Sequence, residues 1–210
     1  MKESKELPKT IESRNISKLF KYIYKRRNLN KDINSFSYKI LVRDIAILEI
    51  LFSTGLRVSE VSSIKSNNIN IKTGYIKVFG KGSKERIIHI CNSEIKEILR
   101  EYVSLFKNEI EKNDWFFINR LGNRFSEQSI TNMIKKYQKK SGIIQELTPH
   151  MFRHSFATLL LEKGVDIRYI QNFLGHASIS TTQIYTQVNE VHKKKILRTK
   201  HPRMELNFLD

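Results

Sequence analysis

Along the first half of the chain, apolar residues recur at helical spacing. Ile16, Leu19, Phe20, Ile23 and Tyr24 form one such face. The polar stretch from Arg27 to Asn34 reads as a loop, and residues 1–12 read as flexible. A longer helix is predicted from about Ser37 to Thr54, with Leu41, Val42, Ile45, Leu48, Leu51 and Phe52 on its buried side and Gly55 as its stop. A short helix, Ser59 to Ile64, follows. The period then changes to that of strands at Ile69 to Lys72, Tyr75 to Phe79 and Arg86 to Ile90, joined by the Gly-bearing turns 72–74 and 80–84. Helical spacing returns from Ser93 to Lys107, and Trp115 to Ile118 reads as a buried strand or extended segment. Ser126 can cap a helix to Lys140. Thr148 and Pro149 supply a capping hydroxyl and a first-turn proline for a helix that ends at Gly164. Further helices are expected over Asp166 to Leu174 and from Ser180 into the tail. The pattern predicts a mainly α (α+β) fold: one helical domain over 1–210 with a small three-stranded antiparallel sheet.

Composition narrows the partners. Lys and Arg number 38 against 21 Asp and Glu, a formal charge of +17, which favours a polyanion such as nucleic acid. A coding bias toward Lys, Asn and Ile would also raise that charge, so charge alone does not decide. The single cysteine, Cys91, excludes an internal disulfide and a cysteine-cluster zinc site, and reads as a half-buried residue at a strand end. No segment approaches the roughly 20 apolar residues of a membrane helix, and the N-terminus lacks a signal-peptide core. These features predict a protein of the reducing cytoplasm with no membrane partner.

The candidate chemistry lies in scattered polar residues, each of which has an ordinary reading alone. Arg57 sits in a turn between two helices and could simply pair with Glu60. His150 and Arg153 share one face of the first turns of the helix opened by Pro149, beside N–H groups that favour an anion. His154 points to another face. His176 follows a glycine break, where it could merely cap a helix, and Tyr185 could be a packed ring. Lys81 and Lys84 lie in the turn between strands and could be solvent-facing. Together, two arginines, a lysine, two histidines and a tyrosine match what attack on a phosphodiester demands without a metal. Arginine forks answer the charge on the non-bridging oxygens, a lysine can protonate the leaving 5′-oxygen, and a phosphotyrosine ester conserves the energy of the DNA linkage.

The blocks TGLRVSE (54–60), GKGSKER (80–86), LTPHMFRHSFAT (147–158), LGHASISTTQIYT (174–186) and HPR (201–203) resemble the tyrosine recombinase/phage integrase family, and within it the Xer-like recombinases most. The resemblance implies the catalytic domain of a site-specific recombinase that forms a 3′-phosphotyrosyl intermediate. It implies that Arg57 and Arg153 clamp the scissile phosphate and Lys81 protonates the leaving oxygen. His150 would assist proton transfer or orient the phosphate, His176 would bind a non-bridging oxygen, and Tyr185 would be the nucleophile. Glu60 would orient active-site groups, while Lys84 and Arg86 would contact DNA. No cofactor or metal is implied. The implied partner is double-stranded DNA, engaged by a homotetramer on synapsed sites or by a hetero-assembly with a related recombinase. The family's N-terminal core-binding domain is expected to be absent from this chain, and the tail over about 187–210 would pack on a neighbouring protomer, on its own domain or on DNA. The rival readings are a type IB topoisomerase-like enzyme and a non-catalytic DNA-binding accessory protein of the same fold.

Overall fold

The computed structural model describes residues 9–30, 32–79, 85–175 and 186–205, with the side chains of 186–192 and 205 outside that description. Its centre is a helix, Phe36–Thr54. Ser35 caps it by accepting from the Tyr38 N–H at 3.2 Å, and Gly55 ends it in the left-handed region at φ 61°. The sequence predicted one buried side, but every residue from Leu41 to Thr54 is buried. A helix with apolar groups all round belongs in the middle of a fold. Here its neighbours include Ser13–Leu29, Val58–Ser62, Ser93–Leu105, Glu127–Lys140, Pro149–Glu162 and a final 3₁₀ turn, Pro202–Glu205.

In chain order the described helices are α1 (Ser13–Leu29), α2 (Phe36–Thr54), α3 (Val58–Ser62), α4 (Ser93–Leu105), α5 (Lys107–Lys112), α6 (Glu127–Lys140), α7 (Pro149–Glu162), α8 (Ile167–Leu174) and α9 (Thr186–Thr199). The strands β1 (Ile69–Asn70), β2 (Tyr75–Phe79) and β3 (Glu85–His89) form one antiparallel sheet in the order β1-β2-β3, with Tyr75 opposite His89 and Phe79 opposite Glu85. The fold class is therefore the predicted one, mainly helical with a small three-stranded sheet among the described residues. None of the described helices is long and apolar enough to cross a membrane.

Several local expectations are corrected. The loop foreseen from Arg27 starts only after Leu29, because Arg27 extends α1 and its guanidinium reaches Glu101 on α4. The chain around 9–12 is not loose: Ile11 is buried, and its N–H donates to Ser155 Oγ at 2.8 Å. The helix over Ser93 to Lys107 breaks at Phe106, and a separate short helix, α5, follows. The reason is packing: the Phe106 ring lies 4.9 Å from Tyr102 in the core. The Tyr102 hydroxyl donates to Phe116 O and accepts from the Ile118 N–H, pinning the extended segment 115–118 beside it.

The described part of the tail folds onto its own chain. Leu197 joins Phe156, Leu160, Val165, Ile170, Phe173 and Leu174 in a second apolar cluster. Beyond it, Arg203 is 1% exposed, with Nε 3.1 Å from both oxygens of the fully buried Glu49 and Nη2 2.6 Å from Glu94. The Tyr24 hydroxyl also donates to Glu49, at 2.7 Å. A buried pair of this kind fixes geometry more than it adds stability. It ties Arg203 to the central helix Phe36–Thr54.

Candidate active site

The site is built where the ends of α2, α7 and α8 meet β3. Gly55 turns the chain out of α2, Leu56 is fully buried as its anchor, and Arg57 becomes the extended N-cap of α3. Glu60, three residues on, accepts from the Arg57 backbone N–H at 2.8 Å and from Arg57 Nη1 at 3.2 Å. The pairing of Arg57 with Glu60 is thus real, yet 39% of the Arg57 side chain remains exposed.

Arg153 comes from α7. Thr148 caps that helix by accepting from the Met151 N–H, and Pro149 occupies its first turn. Arg153 is only 7% exposed, and among the described residues its side chain donates to backbone oxygens rather than to a carboxylate. Nη1 donates to Gly55 O and Nη2 to Leu174 O, each at 2.8 Å. Both acceptors lie at helix C-termini, where the helix dipole is negative and welcomes a cation. Burial and then the positive field of Arg57 push the Arg153 guanidinium down to about 10, so it stays charged at neutral pH while its charge is under-compensated. Five N–H groups make up the arginine fork, so the two bonds to carbonyls leave donors for another acceptor.

Gly55 is required by this junction on two counts. Its φ is positive, and a Cβ there would lie 2.6 Å from Phe156 Cδ1 and 2.9 Å from Leu174 Cδ2. The close approach brings its carbonyl to Arg153.

His150 is exposed in the first turn of α7, one turn before Arg153. His154 is held below the usual histidine range by burial, by His150 and by Arg153. Arg86, expected to contact DNA, is on β3 with 14% of its side chain exposed. Nη1 and Nη2 donate to the two Glu60 oxygens at 2.8 Å each, and Nε reaches Phe173 O at 3.4 Å. Burial raises the Glu60 pKa, but the Arg86 hydrogen bonds and the Arg57 N–H outweigh it and leave the carboxyl below its ordinary value.

The structure therefore gathers Arg57, Glu60, Arg86 and Arg153, with His150 on the same helix as Arg153. Lys81, Lys84, His176 and Tyr185 lie outside the described residues. Sequence reasoning missed the partner of Arg86, although a signal existed. Period-two alternation places Arg86 on the same face of β3 as the buried Ile88, and a cation on a core-facing position calls for a counter-charge. Glu49 was missed in the same way, as a carboxylate inside the apolar run of α2. Chemically, two guanidiniums, Arg57 and Arg86, share the Glu60 carboxylate, and a third, Arg153, lies beside them donating to carbonyls. The surplus of positive charge, partly buried and rich in forked donors, suits a phosphate-sized anion.

Comparison with known proteins agrees with this chemistry. The phage integrase family profile matches residues 26–192. A tyrosine recombinase of Agathobacter rectalis is 48% identical over 202 residues, which cover 96% of this chain and 65% of that relative. The tyrosine recombinase XerD of Oceanobacillus iheyensis is 43% identical over 169 residues, covering 79% of this chain and 57% of that protein. The chain thus spans about two thirds or less of these curated relatives. Among solved structures, the XerA recombinase superimposes with a TM-score of 0.68 at 28% identity, over 97% of this chain and 62% of that one. The XerH site-specific recombinase bound to palindromic difH substrate gives 0.70 at 28% identity, over 90% and 52%.

Proposed function

The chain belongs to the phage integrase family, and from that premise we propose that it is a site-specific DNA recombinase acting on double-stranded DNA through a 3′-phosphotyrosyl bond to Tyr185. In this reaction the Tyr185 oxygen attacks the scissile phosphorus and the 5′-oxygen leaves with a proton from Lys81. Arg57 and Arg153 meet the non-bridging oxygens, whose charge grows as phosphorus becomes pentavalent. His176 donates to one of those oxygens, and His150 assists the proton leaving Tyr185 or orients the phosphate. A 5′-hydroxyl from a partner duplex then displaces the tyrosine and completes the exchange. Four protomers on two synapsed sites, identical or shared with a related recombinase, carry the paired exchanges.

The observation that carries this reading is the bond from Arg153 Nη1 to Gly55 O, which ties the buried guanidinium to the turn bearing Arg57. Two arginines linked in this way, with Arg153 donating to two carbonyls and to no carboxylate among the described residues, form a cationic seat in need of an anion. The similarity to a tyrosine recombinase and to the tyrosine recombinase XerD supports the same activity.

The test is covalent capture. A nicked suicide duplex is first selected from a randomised library by its retention on the protein after denaturation, which presupposes no natural site. The chain is expected to form a denaturation-stable adduct with it, and Tyr185→Phe is expected to bind the duplex without forming one. An adduct of undiminished yield from Tyr185→Phe, or none from the parent, contradicts the proposal.

A further inference from the structure

Arg86 carries no role in the reaction as written above, yet it makes the most complete ion pair of the site. Its fork meets both oxygens of Glu60 at 2.8 Å, whereas Arg57 reaches Glu60 Oε1 through a single nitrogen at 3.2 Å. A bidentate arginine–carboxylate pair is the stronger arrangement. Glu60 is 7% exposed and receives four hydrogen bonds from the two arginines, so its orientation is set from both sides.

We propose that Arg86 is a positioning residue that occupies the Glu60 carboxylate and so keeps the Arg57 fork open for the scissile phosphate. The proposal rests on the recombinase reading. Without Arg86, the nearest cation to the buried carboxylate is Arg57 itself, three residues away in sequence and already in contact through one nitrogen. A carboxylate and a phosphodiester oxygen compete for the same fork. Glu60, tethered beside Arg57, would win that competition by its effective concentration. With Arg86 in place the carboxylate is already engaged, and Arg57 presents its remaining donors on the exposed 39% of its side chain.

Two further contacts fit a part that must not move. Arg86 Nε donates to Phe173 O in the last turn of α8, and Arg153 Nη2 donates to the neighbouring Leu174 O, so two arginines grip that helix end. A Cβ at Gly175, whose φ is 67°, would lie 2.9 Å from the Arg86 guanidinium. The backbone there is shaped around this side chain.

The test compares the parent, Arg86→Met, Arg86→Lys, Glu60→Gln and the double variant Arg86→Met/Glu60→Gln in the rate of covalent capture of the selected suicide duplex. Arg86→Met is expected to slow capture by about 100-fold, the size of effect seen when one transition-state donor is lost. Adding Glu60→Gln removes the competing anion, and the double variant is expected to recover roughly tenfold of that loss. A scissile methylphosphonate, which lacks one anionic oxygen, is expected to shrink the Arg86→Met deficit in the same sense. If Arg86→Met does not fold, Arg86→Lys, with a single-point cation on the carboxylate, is expected to show the smaller deficit with the same methylphosphonate relief. A role in folding alone predicts equal deficits on both substrates and a double variant no better than Arg86→Met, and either result overturns the proposal. A parent that captures no DNA removes the recombinase reading and this inference together. A parent that captures DNA while Arg86→Met matches it removes this inference alone.

Discussion

His201 shows how much one side chain can depend on its protonation state. Its ring is 5% exposed, Nε2 donates to Ser53 O at 2.7 Å, and Nδ1 accepts from the Arg203 N–H at 3.0 Å. Only the neutral ring with its proton on Nε2 satisfies both contacts, since a second proton would face the Arg203 N–H. Burial, with Arg203 and Lys163 adding positive field, pushes this histidine down to about 4. The folded form therefore binds fewer protons than the unfolded chain, whose histidine titrates near about 6.5, so stability rises with pH between those values. The contribution is complete above about pH 6.5 and is lost as pH falls toward about 4, on the order of 3 kcal/mol across the window. Chemical denaturation at a series of pH values should show that slope in the parent. His201→Gln should be less stable near neutrality and flatter between those limits. An unchanged slope in His201→Gln would assign the acid sensitivity to other groups.

Among the elements, the junction of α2, α3 and α7 carries the heaviest constraint. Gly55→Ala forces a positive φ on a residue with a Cβ and drives that Cβ into Phe156 and Leu174. The expected loss is about 1–3 kcal/mol of stability, with a fall in DNA capture larger than the stability loss accounts for, because the carbonyl that holds Arg153 moves with it. Thermal unfolding and capture rate, measured on the same preparation, check both parts. Parent-like capture would free the site from this junction. The Gly55 stop, the Ser126 and Thr148 caps and the strand Tyr75–Phe79 were all legible beforehand, because each depends on local chemistry within a few residues. The break at Phe106, the full burial of α2 and the ordered chain at Ile11 were not. Each arises from partners far off in sequence, as in the Ile11 bond to Ser155. The site divides in the same way. Arg57 and Arg153 were identified as a pair, whereas the partner of Arg86 on Glu60, 26 residues away, needed the packed sheet to appear.

Over the whole molecule, charge and architecture point in one direction. The +17 surplus meets a fold whose described arginine cluster leaves Arg57 partly open to solvent and Arg153 short of counter-charge. The tail is fastened to the same body, since Arg203 closes on Glu49 of the central helix and Leu197 fills the cluster behind α7 and α8. Helix α9 begins at Thr186, directly after Tyr185 in the sequence, so the element that follows the proposed nucleophile is anchored at its far end. The claim beneath all of this is that one phenol and two linked arginines act on a single phosphodiester. Nuclease digestion of the captured adduct, followed by peptide mass spectrometry, tests it most directly. The account predicts a nucleotide joined through its 3′-phosphate to the peptide containing Tyr185, and no such peptide after Arg57→Ala or Arg153→Ala. A nucleotide on any other residue, or undiminished adduct from both arginine variants, would contradict it.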